Sequence, residues 1–232
     1  MIDPSSIEAP MTPTLCLTGG GHASVVIDAA SLQGEVTITA ILDDDDTALG
    51  ATRYGVPVIA TLEHLEAMPE QGFHQFILGL GGTDAPGGAR QREALFDRAW
   101  KAGLEPVTII HPRSIIAGGV FIGGGSAVLA GAILNPRSRV GVNAIINSGA
   151  IVEHDVRVGD HAHVAPGAIL CGGVSIGSRA HVGAGAVIRQ GLSIGDDAVI
   201  AAGAVVVRDV PVGAVMMGTP AAPVARAAGE AA

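Results

Sequence analysis

From Val120 to Val212 aliphatic residues return at every sixth position. The series runs Ile122, Val128, Leu134, Val140, Ile146, Val152, Val158, Val164, Leu170, Ile176, Val182, Ile188, Ile194, Ile200, Val206 and Val212 without a break. Two positions ahead of each lies a second series of small or aliphatic residues, from Val120 and Ser126 to Ala204 and Val210. Gly, Asn and Asp crowd the positions between. No helix has this period, but two-residue alternation interrupted by a corner does. The large residue and the small one before it point inward, and the intervening residues point out. Gly, Asn and Asp let the chain turn where side chains would crowd. Three such turns close one coil, and coils stack by parallel pairing, so the pattern predicts a parallel β-helix of triangular section over 113–212. It would hold about five coils and, at ~4.8 Å per stacked strand, be roughly 25 Å long.

Ahead of the coil the pattern is that of alternating strands and helices. Leu15–Leu17 reads as a buried strand, Gly19–Gly21 as a turn, and His22–Leu32 as a helix with Val25, Val26 and Ala29 on its apolar face. Further strands are expected at Val36–Leu42, Val56–Ile59, Gln75–Leu80 and Pro106–Ile110, with Thr61 capping a helix through Met68. Ala89–Ala102 reads as a helix with Leu95, Ala99 and Trp100 inward and Arg90, Arg92, Asp97 and Lys101 outward. The expected organisation is a frayed leader (1–12), a small Rossmann-like α/β domain of βαβ type (13–110), the β-helix domain (111–221) and a tail (222–232).

A strand, a glycine turn and a helix in that order can form an anion site, because free N–H groups at the helix start face the ligand. Gly20, Gly21 and His22 occupy that place, although the full dinucleotide fingerprint is not met: Ser24 stands where a packing glycine would help. A tight turn alone explains the glycines equally well. Asp43 and Asp44 fall at the carboxyl edge of the sheet, where ligands bind, whereas Asp45 and Asp46 read as a solvated turn.

Composition narrows the function. The chain of 232 residues is 48% hydrophobic but only 3% aromatic, which suits a narrow interior of Ile, Val, Leu and Ala. A net charge of -9 with no basic block argues against nucleic acid or an anionic membrane surface as partner. Cys16 and Cys171 suggest neither a disulfide framework nor zinc, so a reducing cytoplasm is the expected location. Neither a signal peptide nor membrane insertion is expected.

Candidate chemistry gathers in the middle of the repeat, where His154, His161 and His163 fall within ten residues. His154 and Asp155 sit on an outward turn between inward Val152 and Val156. An imidazole there can accept a proton while the carboxylate orients it; a solvated turn residue is the alternative. Asn147 lies on a neighbouring part of the same coil, and His163 follows half a coil later. A zinc site from the three histidines lacks supporting spacing and their directions diverge. Cys171 as nucleophile lacks a paired acid and base. Outward aliphatics at Ile115, Ile133, Ile145, Ile151, Ile169, Val187, Val199 and Val205 predict self-association through a flat side, most simply as a trimer.

Over about 13–221 the chain resembles the NeuD/PglD-like family of hexapeptide-repeat sugar acetyltransferases, which includes bacillosamine-pathway and perosamine N-acetyltransferases. The resemblance rests on Gly19-Gly20-Gly21-His22-Ala23-Ser24-Val25-Val26, Leu42-Asp43-Asp44, Ile146-Asn147-Ser148-Gly149, Glu153-His154-Asp155, His163-Val164-Ala165-Pro166-Gly167, Asp209-Val210-Pro211 and Gly218-Thr219-Pro220-Ala221. It implies a left-handed β-helix and acetyl-CoA-dependent transfer to the amino group of a nucleotide-linked amino-dideoxy sugar, with acetyl-CoA as co-substrate and no metal. It further implies His154 as general base, Asp155 as its orienting partner, Asn147 on the acceptor sugar and His163 at the acetyl-CoA end. Gly20, Gly21 and His22 would hold the nucleotide part, with Asp43 or Asp44 near base or ribose. Pantetheine would run by Gly172, Gly173, Ala184 and Ala202 of the adjacent subunit of a homotrimer, with the sites between subunits. Sugar O-acetylation of the sialic acid type, and a non-catalytic β-helical scaffold, are the other readings.

Overall fold

The computed structural model describes residues 12–82 and 88–224. The expected leader, apart from Thr12, lies outside the described residues, as do 83–87 and the tail from 225 on.

Residues 13–106 build a sheet of β1 (Pro13–Leu17), β2 (Thr37–Asp43), β3 (Thr52–Arg53), β4 (Val56–Thr61), β5 (Gln75–Leu78) and β6 (Glu105–Pro106), in the order β3-β4-β2-β1-β5-β6. All pairs are parallel except β3–β4, a hairpin turning on Tyr54-Gly55, both at positive φ. Alternation along β1 explains the layering. Cys16 faces α1 (Gly21–Gln33), where it packs with Ala23, Val26 and Ile27. Leu15 and Leu17 face the other layer, with Leu62, Leu65, Phe96 and Ala99. A sheet covered on both faces needs apolar residues at both parities, which β1 and β2 supply.

The hexad forms the predicted prism. Register pairs lie eighteen residues apart, as in Ile145↔His163 and His163↔His181. The first face carries the pairs beginning Ile109, Ala127, Ile145, His163, His181 and Val199; the second Ile115, Ile133, Ile151, Ile169, Val187 and Val205; the third Phe121, Arg139, Arg157, Ser175 and Ser193. Inside, the large and small series are buried in one continuous cluster. The inward Ser126 hydroxyl donates to the Gly141 carbonyl and accepts from the Ala144 N–H, which satisfies it within the core.

Several expectations are corrected. The strand read over 106–110 divides: Glu105–Pro106 completes the α/β sheet, while Ile109–Ile110 is the first rung of the prism. The hexad also slips at its end. Val210, not Val212, bridges Ile194 and is buried, because the last coil is two residues shorter; Val212 is 71% exposed. The segment after Thr61 is a 3-10 turn (Leu62–Ala67), and the Thr61 hydroxyl bonds the His64 ring rather than the backbone. On α1, Val25 is outward; on α2 (Gly88–Lys101), Trp100 is outward and Arg92 is 1% exposed. Arg92 turns inward because α2 has a second buried face, wedged against the prism edge. There its guanidinium donates to the carbonyls of Asn143 (2.5 Å) and His161 (2.9 Å).

The α/β domain therefore docks on the first face and on the edge between the third and first faces. Ile109, Ala127, Leu129 and Ile145 pack on α1, so Ile145 is not an exposed aliphatic. Along the edge, Arg179 pairs with Asp197 and Glu93, and Arg90 with Asp197. The second face keeps its aliphatic column at least partly exposed, with Ile115 at 62%.

Candidate active site

His154 follows the second-face rung Ile151–Val152, on the edge between second and third faces. Asp155 holds the corner at φ 61, a conformation Asp tolerates better than most side chains. The Asp155 Oδ2 lies 2.9 Å from His154 Nδ1. From one coil below, Arg137 places Nε 2.7 Å from Oδ1 and a terminal nitrogen 2.8 Å from Oδ2 of the same carboxylate. Arg137 first, and His154 second, hold the Asp155 carboxyl well below the usual carboxylate range. An ionised carboxylate can only accept, so Nδ1 carries the hydrogen and Nε2 keeps its lone pair. One coil above, Gly172 makes room for the ring: a Cβ there would lie 2.7 Å from His154 Nε2 and Cε1. The side chain is 58% exposed.

A second group forms around His163 on the first face. Asn147 Nδ2 lies 3.1 Å from His163 Nε2. His181, one coil above, packs edge-to-face at 4.9 Å. Gly82 closes over the ring from the α/β domain; a Cβ there would come within 2.3 Å of Nδ1. His22, at the start of α1, packs under Gly81. Burial pushes His22 down to about 4, helped by the nearby Arg92 charge. Burial also holds His163 well below its ordinary value, followed by His181, Arg92 and His22. Both rings are therefore neutral at pH 7, and His163 Nε2 lies within hydrogen-bond reach of Asn147.

At the head of α1, Gly20 is the N-cap residue without a side-chain cap, and space in front of Gly20 and Gly21 is open. Asp43 accepts from the Gly19 N–H (2.7 Å) and from Arg53 (2.6 Å), which also pairs with Asp45. Asp43 thus fixes the glycine turn, while Asp44 is exposed. Cys16 is buried beneath, its thiol pushed up to about 12 by burial and by the Asp43 charge. Gly172 and Gly173 share the His154 edge, whereas exposed Ala184 and Ala202 share the edge that carries Asn147. His161 points to a third place, bonding Asn143 at 3.0 Å. Among the described residues no group of His, Cys, Asp or Glu could hold a metal ion. No described helix is long and apolar enough to cross a membrane.

The structure thus joins His154 to Asp155, and Asn147 to His163, but puts the two pairs on different edges of one prism. Three site residues were not read from the sequence. Arg137 and His181 each lie one coil from a recognised residue, and that offset of eighteen was the available signal. Arg92 had none, since an amphipathic helix with a charged face reads as solvated.

Residues 15–98 match the PglD N-terminal domain, and 155–190 and 173–208 match the bacterial transferase hexapeptide and the hexapeptide repeat of succinyl-transferase. No curated protein sequence matches the chain. Among solved structures, PerB from Caulobacter crescentus, in complex with CoA and GDP-perosamine, is 39% identical with a TM-score of 0.84, covering 92% of this chain and 97% of that one. The acetyltransferase domain of PglB from Neisseria gonorrhoeae FA1090, in complex with acetyl coenzyme A, is 31% identical with a TM-score of 0.81, covering 92% and 99%. WeeI from Acinetobacter baumannii AYE is 27% identical with a TM-score of 0.80, covering 91% and 99%. An α/β domain ahead of a left-handed β-helix, matched over nearly all of its length, makes this chain a member of the NeuD/PglD-like family of hexapeptide-repeat sugar acetyltransferases.

Proposed function

We propose that the protein transfers the acetyl group of acetyl-CoA to the amino group of a nucleotide-linked amino-dideoxy sugar, with His154 as general base. The observation that carries this reading is the polarity of the His154 ring: Nδ1 is tied to an ionised carboxylate, and Nε2 lies over Gly172, which has no side chain to crowd it, on a side chain that is 58% exposed. The complex of PerB with CoA and GDP-perosamine supports the same substrate pair here.

The sugar amine attacks the thioester carbon, its proton passes to Nε2, and the carbon–sulfur bond breaks to release the thiolate, which takes that proton back. Asp155 keeps the ring in the required tautomer and supports the transient imidazolium. A positioned base of this kind is typically worth 10²–10⁴-fold, and alignment of the two substrates supplies much of the rest. Asn147 and neutral His163 hold acceptor and acetyl groups by hydrogen bonding. Gly20, Gly21 and His22 offer N–H groups to the sugar nucleotide's phosphates, with Asp44 the freer acid near base or ribose, because Asp43 is engaged by Gly19 and Arg53. Gly172, Gly173, Ala184 and Ala202 line the pantetheine path.

A site containing both His154 and the Asn147–His163 pair needs two copies of the chain, because they occupy different edges. We therefore place the site between subunits of a cytoplasmic homotrimer, packed through the aliphatic column of the second face. A thiol-release assay with acetyl-CoA against UDP-, GDP- and dTDP-linked 4-amino sugars, with free sialic acid included, tests the reading. Turnover with a nucleotide-linked amino sugar is expected; turnover of sialic acid alone would overturn it in favour of O-acetylation.

A further inference from the structure

Arg137 is unusual for its place. It holds a corner at φ 64, and the equivalent corners one coil below and two and three coils above are Gly119, Gly173 and Gly191. Glycine adopts this conformation freely and arginine does so at a cost. The ion pair it makes is exposed, with side-chain exposures of 69% and 45%, and exposed pairs contribute little stability. The same fork recurs where Arg179, at φ 60, pairs with Asp197 one coil above, but that pair is largely covered, whereas the Arg137–Asp155 pair is not. Its geometry offers another reason. Two parallel N–H groups fix the plane of the Asp155 carboxylate, and Oδ2, one of the two oxygens they engage, is the one that accepts from His154.

We propose that Arg137 is a positioning residue for the acetyl transfer, clamping Asp155 so that His154 keeps its proton on Nδ1 and presents a free Nε2. The inference rests on the reading of His154 as base. The clamp removes rotational freedom from the carboxylate, and so from the imidazole it holds. On the same turn as His154 are Asp155 and Glu153, whose carboxylate accepts from the His154 backbone N–H at 3.2 Å. Arg137 lies below, and above lie half-buried Cys171 and Gly172 and exposed Gly173. Arg137 is the cation that pairs with Asp155.

The test uses full-length Arg137→Gly, which suits the corner and so leaves the fold intact, and Arg137→Lys, which keeps the charge without the fork. In Arg137→Gly, kcat/KM is expected to fall about 10–100-fold, less than the 10²–10⁴-fold that a positioned base contributes, because His154 itself remains. Arg137→Lys recovers part of the rate. Nitrogen-15 NMR of the His154 ring reads the tautomer directly: Nδ1–H in the parent protein, a mixture in Arg137→Gly. An unchanged tautomer in folded Arg137→Gly would overturn the proposal. If the tautomer shifts but His154→Ala still turns over normally, the clamp stands and the assignment of His154 as base falls.

Discussion

The chemistry of single residues here depends on partners one coil away. His154 and Asp155 are adjacent in sequence and could be read as a pair from the chain alone. The hexad implies a ladder of eighteen residues, but only the folded coil shows which side chains it brings into contact: Arg137 beneath Asp155, Gly172 above His154 and His181 above His163. Arg92 shows a different limit. Its neighbours on α2 are charged, so the helix reads as half solvated, whereas the prism edge covers the supposedly wet side and the Asn143 and His161 carbonyls take up the guanidinium. For Asp155→Asn we expect kcat to fall at least a hundredfold, toward the roughly 10⁴-fold that a wrong histidine tautomer costs, with KM for acetyl-CoA little changed. Steady-state kinetics on both substrates checks this.

Two kinds of glycine serve the elements, and the sequence does not separate them. Gly149, Gly167, Gly185 and Gly203 stand at corners with φ near 67 and open space where a Cβ would go. Gly141, Gly159 and Gly177 have ordinary φ, but the next coil lies against them: a Cβ at Gly159 would fall 2.6 Å from the Ser178 nitrogen. The first kind is required by backbone conformation, the second by the stacking of coils. Gly167→Ala should therefore cost about 1–2 kcal/mol. Gly159→Ala should cost about 1–3 kcal/mol or more, because packed backbone cannot move aside as a side chain can. Thermal melts of the two variants rank them; a milder loss at 159 than at 167 would contradict this account of the coil. The hexad itself was plain in the sequence because it repeats without interruption. Its slip at Val210 was not, since Val212 is equally aliphatic and only the shortened last coil decides between them.

Across the whole molecule, the α/β domain and the prism share an interface built around buried Arg92 and two neutral histidines, His22 and His163. The pH dependence follows from their direction. The ordinary histidine value, 6.5, applies to the unfolded chain, and His22 is lowered to about 4 in the folded one. The folded protein thus binds fewer protons between these values, so its stability is full above about pH 6.5 and is lost as pH falls through about 4. His22→Gln should flatten that slope in acid melts, and a slope unaltered by the substitution would remove His22 from the cause. The domain order was legible from the change of hydrophobic period; the docking of one domain on the first prism face was not, because the residues that make it, Ile109, Leu129 and Ile145, look like any other outward aliphatic. The same uncovered aliphatics on the second face, Ile133, Ile151 and Ile169, lead us to expect three chains per particle by light scattering.

The most direct measurement is turnover of His154→Ala with acetyl-CoA and a GDP-linked 4-amino sugar, in protein shown by melting and light scattering to keep its fold and assembly. The account predicts a loss of at least a hundredfold, in line with removal of a positioned base. Turnover within a few-fold of the parent protein would contradict it.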